Sequence, residues 1–181
     1  MEKDKEYYNE IFKTAPQYSL SVDSEHSWHA DLYDYVISLF NKDDLIIELG
    51  SGTGQFAKYI IDNGFNYVLG IDFSETGIEL CQKRCPNVKF ICEDLYNVNL
   101  LAFDYNTILS LETMEHINGD LEVISKIKRG SKVIISVPSF DGDSHVRFFN
   151  NRDEVLDRYY HLFSEIDVIQ VNRYFVIVAK K

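Results

Sequence analysis

Three side chains in the segment Leu111–Ile117 are of types that do chemistry: Glu112, Glu115 and His116. Their i, i+3 and i+4 spacing would place them on one face of a helix. An imidazole titrates near neutral pH, so His116 is a candidate general base. Two carboxylates and two imidazoles could instead hold Mg²⁺ or Mn²⁺, with His145 as the fourth ligand. In a third interpretation the Glu-His pair is a scaffold that orients the following segment.

A polar segment at residues 138–149 supplies a second group of candidates. It contains His145 and Arg147 and ends in aromatic residues. We expect it to fold over a crevice as a substrate lid, with His145 as a base and Arg147 as a clamp for an anion. The alternative is that Arg147 pairs with a local aspartate and that His145 packs beneath the loop. The candidate catalytic residues are therefore His116 and His145.

A glycine-rich turn, Glu48–Gly54, stands between a predicted strand and a predicted helix, a context in which backbone can approach a ligand closely. A dinucleotide-binding loop would need a third glycine at position 55, where the chain has Gln55. A P-loop would need Gly-Lys-Ser/Thr, which the turn lacks. The turn therefore argues against an enzyme that works on nucleotide phosphates.

Two acids follow the next two predicted strands. Asp72 stands about twenty residues beyond the glycine turn, where a carboxylate can take both hydroxyls of a ribose. Asp94, within Cys92–Leu95, could accept a hydrogen bond from an exocyclic amine such as that of adenine. Together the turn and the acids outline an adenosine without phosphates.

The elements that must position these residues follow from hydrophobic periodicity. From residue 44 onward, short β-branched runs alternate with helix-length stretches, as in a parallel sheet covered on both faces. Strands are predicted at 45–49, 67–71, 88–92, 106–110 and 132–137, with an antiparallel hairpin at 164–169 and 174–178. Helices are predicted at 56–63, 74–84 and 120–130. The result is a doubly wound α/β sheet with its crevice at the carboxyl ends of the strands.

Residues 1–43 precede this sheet and contain a predicted helix at 31–40. We expect the aromatic residues Tyr7, Tyr18 and Trp28 to cover the ligand site, the alternative being ordinary packing against the sheet edge. The chain is then one compact domain, made of a covering segment at 1–43 and the α/β domain at 44–181.

Composition limits the function further. The chain has 181 residues, 45% of them hydrophobic, and a formal net charge of −11. Such a charge disfavours nucleic acid as a partner, because a phosphate backbone would be repelled. No apolar run approaches the roughly 18 residues of a membrane span, and the acidic start is unlike a signal peptide. We expect a cytoplasmic protein.

Four motifs, Glu48–Gly54, Gly70–Ser74, Glu93–Leu95 and Leu111–Ile117, resemble in order and spacing those of class I S-adenosylmethionine-dependent methyltransferases. The resemblance covers residues 44–181. It implies a mostly parallel seven-stranded sheet of order 3-2-1-4-5-7-6 with the last strand antiparallel. It also implies S-adenosylmethionine as the cofactor and S-adenosylhomocysteine as the product.

The resemblance also implies a role for each motif. The backbone of Gly50 and Gly52 would meet the methionine part of the cofactor. Asp72 would bind the ribose, Phe73 would lie against the adenine face, and Asp94–Leu95 would bind the adenine edge. The full set of implied cofactor-binding residues is Glu48, Gly50, Ser51, Gly52, Gly54, Asp72, Phe73, Asp94, Leu95 and Leu111.

The sequence thus predicts a methyltransferase for a small or medium-sized molecule, with O-methylation somewhat favoured by the histidine candidates. One alternative is a non-catalytic S-adenosylmethionine-binding module of a larger assembly, suggested by the lack of a separate substrate domain. The Glu-x-x-Glu-His spacing also resembles the metal site of small-RNA 3′-terminal 2′-O-methyltransferases and a stretch of ubiquinone-pathway O-methyltransferases. The RNA alternative is disfavoured by the missing basic surface. Whether a divalent metal binds, and the oligomeric state, are left open.

Overall fold

Seven strands form one sheet in the computed structural model, which describes residues 1–19 and 29–181. In chain order the strands are β1 Leu45–Leu49, β2 Asn66–Asp72, β3 Lys89–Cys92, β4 Thr107–Ser110, β5 Lys132–Pro138, β6 Glu165–Val171 and β7 Tyr174–Lys180. Their order across the sheet is β3-β2-β1-β4-β5-β7-β6. The predicted strand order is confirmed.

The direction of the strands follows the prediction as well. β1 pairs in parallel with β2 and β4, and the parallel pairing continues from β2 to β3 and from β4 to β5. β7 is antiparallel to both β5 and β6. The order of the strands reverses between β1 and β4, so the crevice opens there, at the carboxyl ends of the parallel strands.

Helices cover both faces of the sheet. They are α1 Lys5–Thr14, α2 Ala30–Ser38, α3 Gln55–Asp62, α4 Glu75–Arg84, α5 Asp120–Ser125 and α6 Arg152–Tyr159. One hydrophobic core lies between the sheet and α2, α3 and α4, and the other lies between the sheet and α5 and α6. Successive strand residues such as Ile46 and Ile47 point into opposite cores, as the twofold repeat of a strand requires.

One predicted helix is too long, and one helix was not predicted. The helix predicted at 120–130 ends at Ser125, because the next amides bond three residues back, Lys126 to Val123 and Ile127 to Ile124, and tighten the chain into turns. Helix α1 was not predicted. The carboxylate of Asp4 caps it by accepting a hydrogen bond from the Tyr7 amide.

Within residues 1–19 and 29–181, no helix combines the length and the apolar character that crossing a membrane requires.

Candidate active site

A cavity of about 420 Å³ occupies the crevice at the carboxyl ends of the strands. Its walls come from α1, the glycine turn after β1, the ends of β2 to β5, and the start of β7. Nine of the ten predicted cofactor-binding residues line this cavity: Glu48, Gly50, Ser51, Gly52, Asp72, Phe73, Asp94, Leu95 and Leu111. The folding of distant strands against one another has therefore collected them in one place.

The glycine turn adopts a backbone that side chains would not tolerate. Gly50, Gly52 and Gly54 all have positive φ, at 78°, 53° and 76°. A Cβ on Gly50 would stand 2.1 Å from Oγ1 of Thr113, so the turn after β1 and the segment after β4 are in close contact. Gly54 does not line the cavity, because it is the N-cap residue of α3.

Asp72 links the end of β2 to the glycine turn. Its Oδ2 accepts a 2.9 Å hydrogen bond from the Gly52 amide, and its Oδ1 accepts one of 2.9 Å from the Ser74 amide. Burial raises the pKa of Asp72 to about 6, although the backbone amides favour the charged form. The carboxylate thus holds the turn in place while it faces the cavity.

Glu48 lies deeper, at the end of β1. It is buried, and its Oε2 accepts a 2.5 Å hydrogen bond from the Tyr67 hydroxyl. Burial raises its pKa to about 7, with the Tyr67 bond acting in the opposite direction.

Helix α1 closes one side of the cavity. The Tyr8 ring lies between Phe73 and His116, with centroid distances of 5.4 and 5.9 Å. Phe12, one turn further along α1, also lines the cavity. Both residues belong to the aromatic segment expected to cover the site, but neither was among the three singled out, although their four-residue spacing on an aromatic-rich helix is a signal for them.

The predicted aromatic cover is only partly placed here. Tyr18 lines the cavity, whereas Tyr7 does not. Tyr7 instead packs edge-on against Tyr8, with ring centroids 5.3 Å apart. Trp28 lies outside the described residues.

His116 and His145 meet at the cavity, although 29 positions separate them. Nδ1 of His116 lies 3.0 Å from the carbonyl oxygen of Ser144, and Nδ1 of His145 lies 3.2 Å from that of Phe140. A carbonyl oxygen only accepts, so each Nδ1 carries the proton and each Nε2 keeps a free lone pair. Burial lowers the pKa of His116 to about 4 and lowers that of His145. Both rings are therefore neutral near pH 7.

The two acids of this cluster do not lie on one face of a common helix, contrary to what the spacing had suggested. Only Met114–His116 is helical, as one 3₁₀ turn, and Glu112 precedes it with a left-handed φ of 50°. Glu112 is held by Ser136, which donates to Oε1 at 2.7 Å and accepts from the Glu112 amide at 2.9 Å. A non-glycine residue with positive φ stores strain, a feature found at functional sites.

Glu115 is the least satisfied group in the cavity. It is fully buried, and among the described residues neither carboxyl oxygen accepts a hydrogen bond from an N–H or hydroxyl group, which leaves the Glu112 carboxyl as its hydrogen-bonding neighbour. Its Oε1 lies 3.5 Å from Nε2 of His116, an atom with a free lone pair. Burial and the neighbouring Glu112 carboxyl raise the pKa of Glu115 well above its usual range.

These residues fit a divalent cation. The ligand atoms of Glu115, His116 and His145 all lie within 4.8 Å of one another. A cation among them would satisfy the buried carboxylate and the facing Nε2 lone pair at once. Glu112 stands next to this group, with its Oε1 bonded to Ser136.

Arg147 does not reach the cavity, which corrects its possible role as an anion clamp. Its guanidinium donates to the carbonyl oxygens of Met114, of Ile117 at 2.6 Å and of Asn118 at 3.1 Å. It also lies 3.4 Å from Oδ2 of Asp120. Arg147 therefore holds the backbone around the 3₁₀ turn, because those carbonyls have no helix to continue into.

Comparison with known proteins gives the family. Residues 46–132 match the model of a methyltransferase domain. An uncharacterised methyltransferase of Oceanobacillus iheyensis is 29% identical over 125 residues, which are 66% of this chain and 58% of that protein. An uncharacterised methyltransferase of Alkaliphilus oremlandii is 22% identical over 166 residues, covering 88% of this chain and 74% of that protein. The match thus spans less than two thirds of the first relative.

A solved structure shares the fold. The magnesium protoporphyrin IX methyltransferase of Synechocystis, with bound S-adenosylmethionine, superposes with a TM-score of 0.67 at 15% identity, over 98% of each chain. The strand order with its one reversed strand, β7, and the glycine turn after β1 define a class I methyltransferase fold. Residues 46–132 thus form a methyltransferase domain, in a chain that has the class I methyltransferase fold.

Proposed function

We propose that this protein transfers the methyl group of S-adenosylmethionine to a small or medium-sized molecule, and that the accepting atom is an oxygen. The main observation in support is that one continuous cavity contains both groups of candidate residues. One space of about 420 Å³ joins the glycine turn to the cluster of Glu112, Glu115, His116 and His145. A cofactor on one side and an acceptor on the other would share that space, which is what direct transfer requires.

In this proposal the cofactor lies over the ends of β1, β2 and β3. The backbone of Gly50 and Gly52 meets its methionine part, and Asp72 binds the ribose hydroxyls. Phe73 lies against the adenine face, and Asp94–Leu95 binds the adenine edge. All of them line the cavity, as do Glu48, Ser51 and Leu111, whereas Gly54 supports the turn from the start of α3.

Helix α1 would be the cover of this cofactor. Tyr8 packs directly against Phe73, with ring centroids 5.4 Å apart, so α1 stands beside the ring that would lie against the adenine face. Three polar contacts fasten α1 to the start of α4. Lys5 pairs with Glu75 at 2.8 Å, and Asn9 Oδ1 accepts from the Ser74 hydroxyl at 2.6 Å and from the Thr76 amide at 3.2 Å.

The acceptor would lie over the ends of β4 and β5. The cofactor supplies an electrophilic methyl group on a sulfonium. An acceptor hydroxyl in line with that group loses its proton to Nε2 of His116 or of His145, both of which are free of protein hydrogen-bond donors in the described structure. The backbone carbonyls fix the tautomer that has its proton on Nδ1, so Nε2 has the lone pair with which a general base accepts a proton.

The buried carboxyl group of Glu115, whose oxygens accept no hydrogen bond from an N–H or hydroxyl group of the described residues, favours a second candidate, a metal-assisted O-methyltransferase. Glu115, His116 and His145, with Glu112 beside them, would hold Mg²⁺ or Mn²⁺. Such an ion would polarise the acceptor hydroxyl and lower its pKa. The net charge of −11 favours a small molecule over RNA as the acceptor of such an enzyme.

Turnover tests the proposal against a non-catalytic binding module. Purified protein is incubated with S-adenosylmethionine and fractionated extracts of small metabolites, and release of S-adenosylhomocysteine is measured. We expect release with at least one fraction, and release reduced by about 10- to 150-fold when Asp72→Ala protein is used at a cofactor concentration limiting for the wild type. Cofactor binding without release in any fraction would favour the module.

A further inference from the structure

The acceptor half of the crevice contains a positively charged side chain, that of Arg173, which the proposed chemistry does not use. This half is formed by the ends of β4 and β5 and by the turn between β6 and β7, which carries Arg173. Arg173 lines the same cavity as Glu112 and His145. The following inference about the acceptor rests on the proposed function.

The backbone fixes Arg173 beside the end of β5. Its carbonyl oxygen accepts hydrogen bonds of 2.9 Å from both the amide and the hydroxyl of Ser139. Its guanidinium carbon lies 3.3 Å from the centre of the Phe140 ring. The side chain is therefore stacked on a wall of the cavity although it remains exposed to solvent.

Arg173 forms no ion pair within 4 Å among residues 1–19 and 29–181, although its charge lowers the pKa of the nearby Glu112 carboxyl in opposition to burial. In contrast, Arg147 and Arg158 both contact Asp120, and Arg152 pairs with Asp167. Stacking occupies the face of the guanidinium and leaves its edge, with the N–H donors, available. That edge matches two oxygens of a carboxylate or a phosphate.

Arg173 is also the cation on the acceptor side of an otherwise acidic cavity. Of the described lining residues, the only other Lys or Arg is Lys3, which lies over the Tyr7 ring at the α1 end. The positive charge of Arg173 acts inside the cavity. Burial is the larger cause of the lowered pKa of His29, and the charge of Arg173 lowers it further. An anion that entered this half would meet the carboxyls of Glu112 and Glu115, so it could be held only at Arg173.

Aromatic rings surround the space next to Arg173. His29 lies 5.6 Å from the Tyr33 ring and 5.4 Å from the Tyr174 ring, and Phe140 lies 5.9 Å from the Tyr174 ring. A flat, apolar molecular body suits such walls. We propose that the acceptor is a small anionic molecule with a flat body, and that Arg173 determines specificity by binding its carboxylate or phosphate group.

The test measures binding of four probes of similar shape to protein saturated with S-adenosylhomocysteine: benzoate, phenyl phosphate, benzamide and benzylamine. EDTA is present, so that no bound cation can attract the anions. We expect benzoate or phenyl phosphate to bind at least about tenfold more tightly than benzamide. The tighter of the two anions identifies the group as carboxylate or phosphate.

Variants assign the preference to Arg173. Arg173→Gln should remove it, and Arg173→Lys should keep a weaker one, because an ammonium is a point charge without the planar edge. The control is Arg129→Gln, which removes an exposed cation before β5, at the opposite end of the strands. Affinity for S-adenosylhomocysteine and the melting temperature should be unchanged in all three.

The inference is overturned if the anions bind no better than benzamide, if benzylamine binds best, or if Arg173→Gln keeps the preference. Failure of the wild type to bind S-adenosylhomocysteine would overturn the proposed function, and the inference with it. The two failures are thus separated by one cofactor titration.

Discussion

The imidazole rings of His116 and His145 lie edge to face, with centroids 5.0 Å apart and an interplanar angle of 68°. Each ring is oriented by a backbone carbonyl at Nδ1, so the free Nε2 atoms belong to two loops that meet only in the folded protein. A base and a metal ligand would use the same Nε2 atoms. Measurements of turnover, of its sensitivity to chelators and of thermal stability distinguish a general base and a metal ligand from a purely structural role.

Replacing either histidine tests its role in proton transfer. If the rings act as base, His116→Ala or His145→Ala should lower turnover about 10²–10⁴-fold while cofactor affinity stays near that of the wild type. The measurements are S-adenosylhomocysteine release and calorimetric cofactor binding. His161→Ala, at an exposed position outside the cavity, is the control. Full activity in both cavity variants would contradict a catalytic role for the pair.

Chelation tests the metal. If Glu115 and the histidines hold a cation, EDTA should abolish turnover, and Mg²⁺ or Mn²⁺ should restore it. Glu112→Gln and Glu115→Gln should then be as damaging as the loss of a histidine, whereas the exposed Glu79→Gln should not be. Undiminished turnover in EDTA would rule out the metal-assisted mechanism.

Thermal unfolding tests which nucleotide the glycine turn accepts. S-adenosylhomocysteine at 100 times its Kd should add about 2.7 kcal/mol to the free energy of unfolding. For a chain of this length, each kcal/mol raises the melting temperature by about 2–4 °C. NAD and ATP should cause no shift, because position 55 is not glycine and no Gly-Lys-Ser/Thr follows. Equal stabilisation by NAD would refute the assignment of the turn.

Asp72→Ala tests the ribose contact. The substitution should weaken cofactor binding by about 1.5–3 kcal/mol, because it removes charge-assisted hydrogen bonds. The structure adds a second effect, since the same carboxylate anchors the Gly52 and Ser74 amides. Asp62→Ala, on the exposed end of α3, is the matched control. An unchanged Kd would mean that Asp72 does not bind the ribose.

The buried Glu48 predicts a pH dependence of stability. Burial raises its pKa from the usual 4.5 to about 7 in the folded protein. Its contribution to stability is therefore complete below pH 4.5 and is lost as the pH rises through about 7. Relative to Glu48→Gln, the cofactor-free wild type should lose free energy of unfolding between about pH 5 and pH 8. If the wild type and Glu48→Gln differ in free energy of unfolding by the same amount at both ends of this pH range, the shifted pKa is contradicted.

The sequence alone determined the sheet and the glycine turn. Runs such as Leu45–Leu49 and Lys132–Val137 are continuous and β-branched, which is a local property of strands buried on both faces. The few residues between β6 and β7 permit only an antiparallel hairpin. The missing glycine at Gln55 excluded a dinucleotide loop without any knowledge of packing. These features depend on neighbours along the chain, so periodicity and spacing reveal them.

Only the tertiary structure decided which arginine lines the cavity. Arg147 lies within the predicted lid, yet its guanidinium binds the carbonyls around Met114–His116. Arg173 lies in a hairpin turn with no motif, and it reaches the cavity because Tyr174 pairs with Pro138 at the end of β5. Likewise, α1 places Tyr8 against Phe73, 65 positions further along the chain. Such contacts depend on the pairing and packing of distant segments, and the local pattern of residue types carries no record of that pairing.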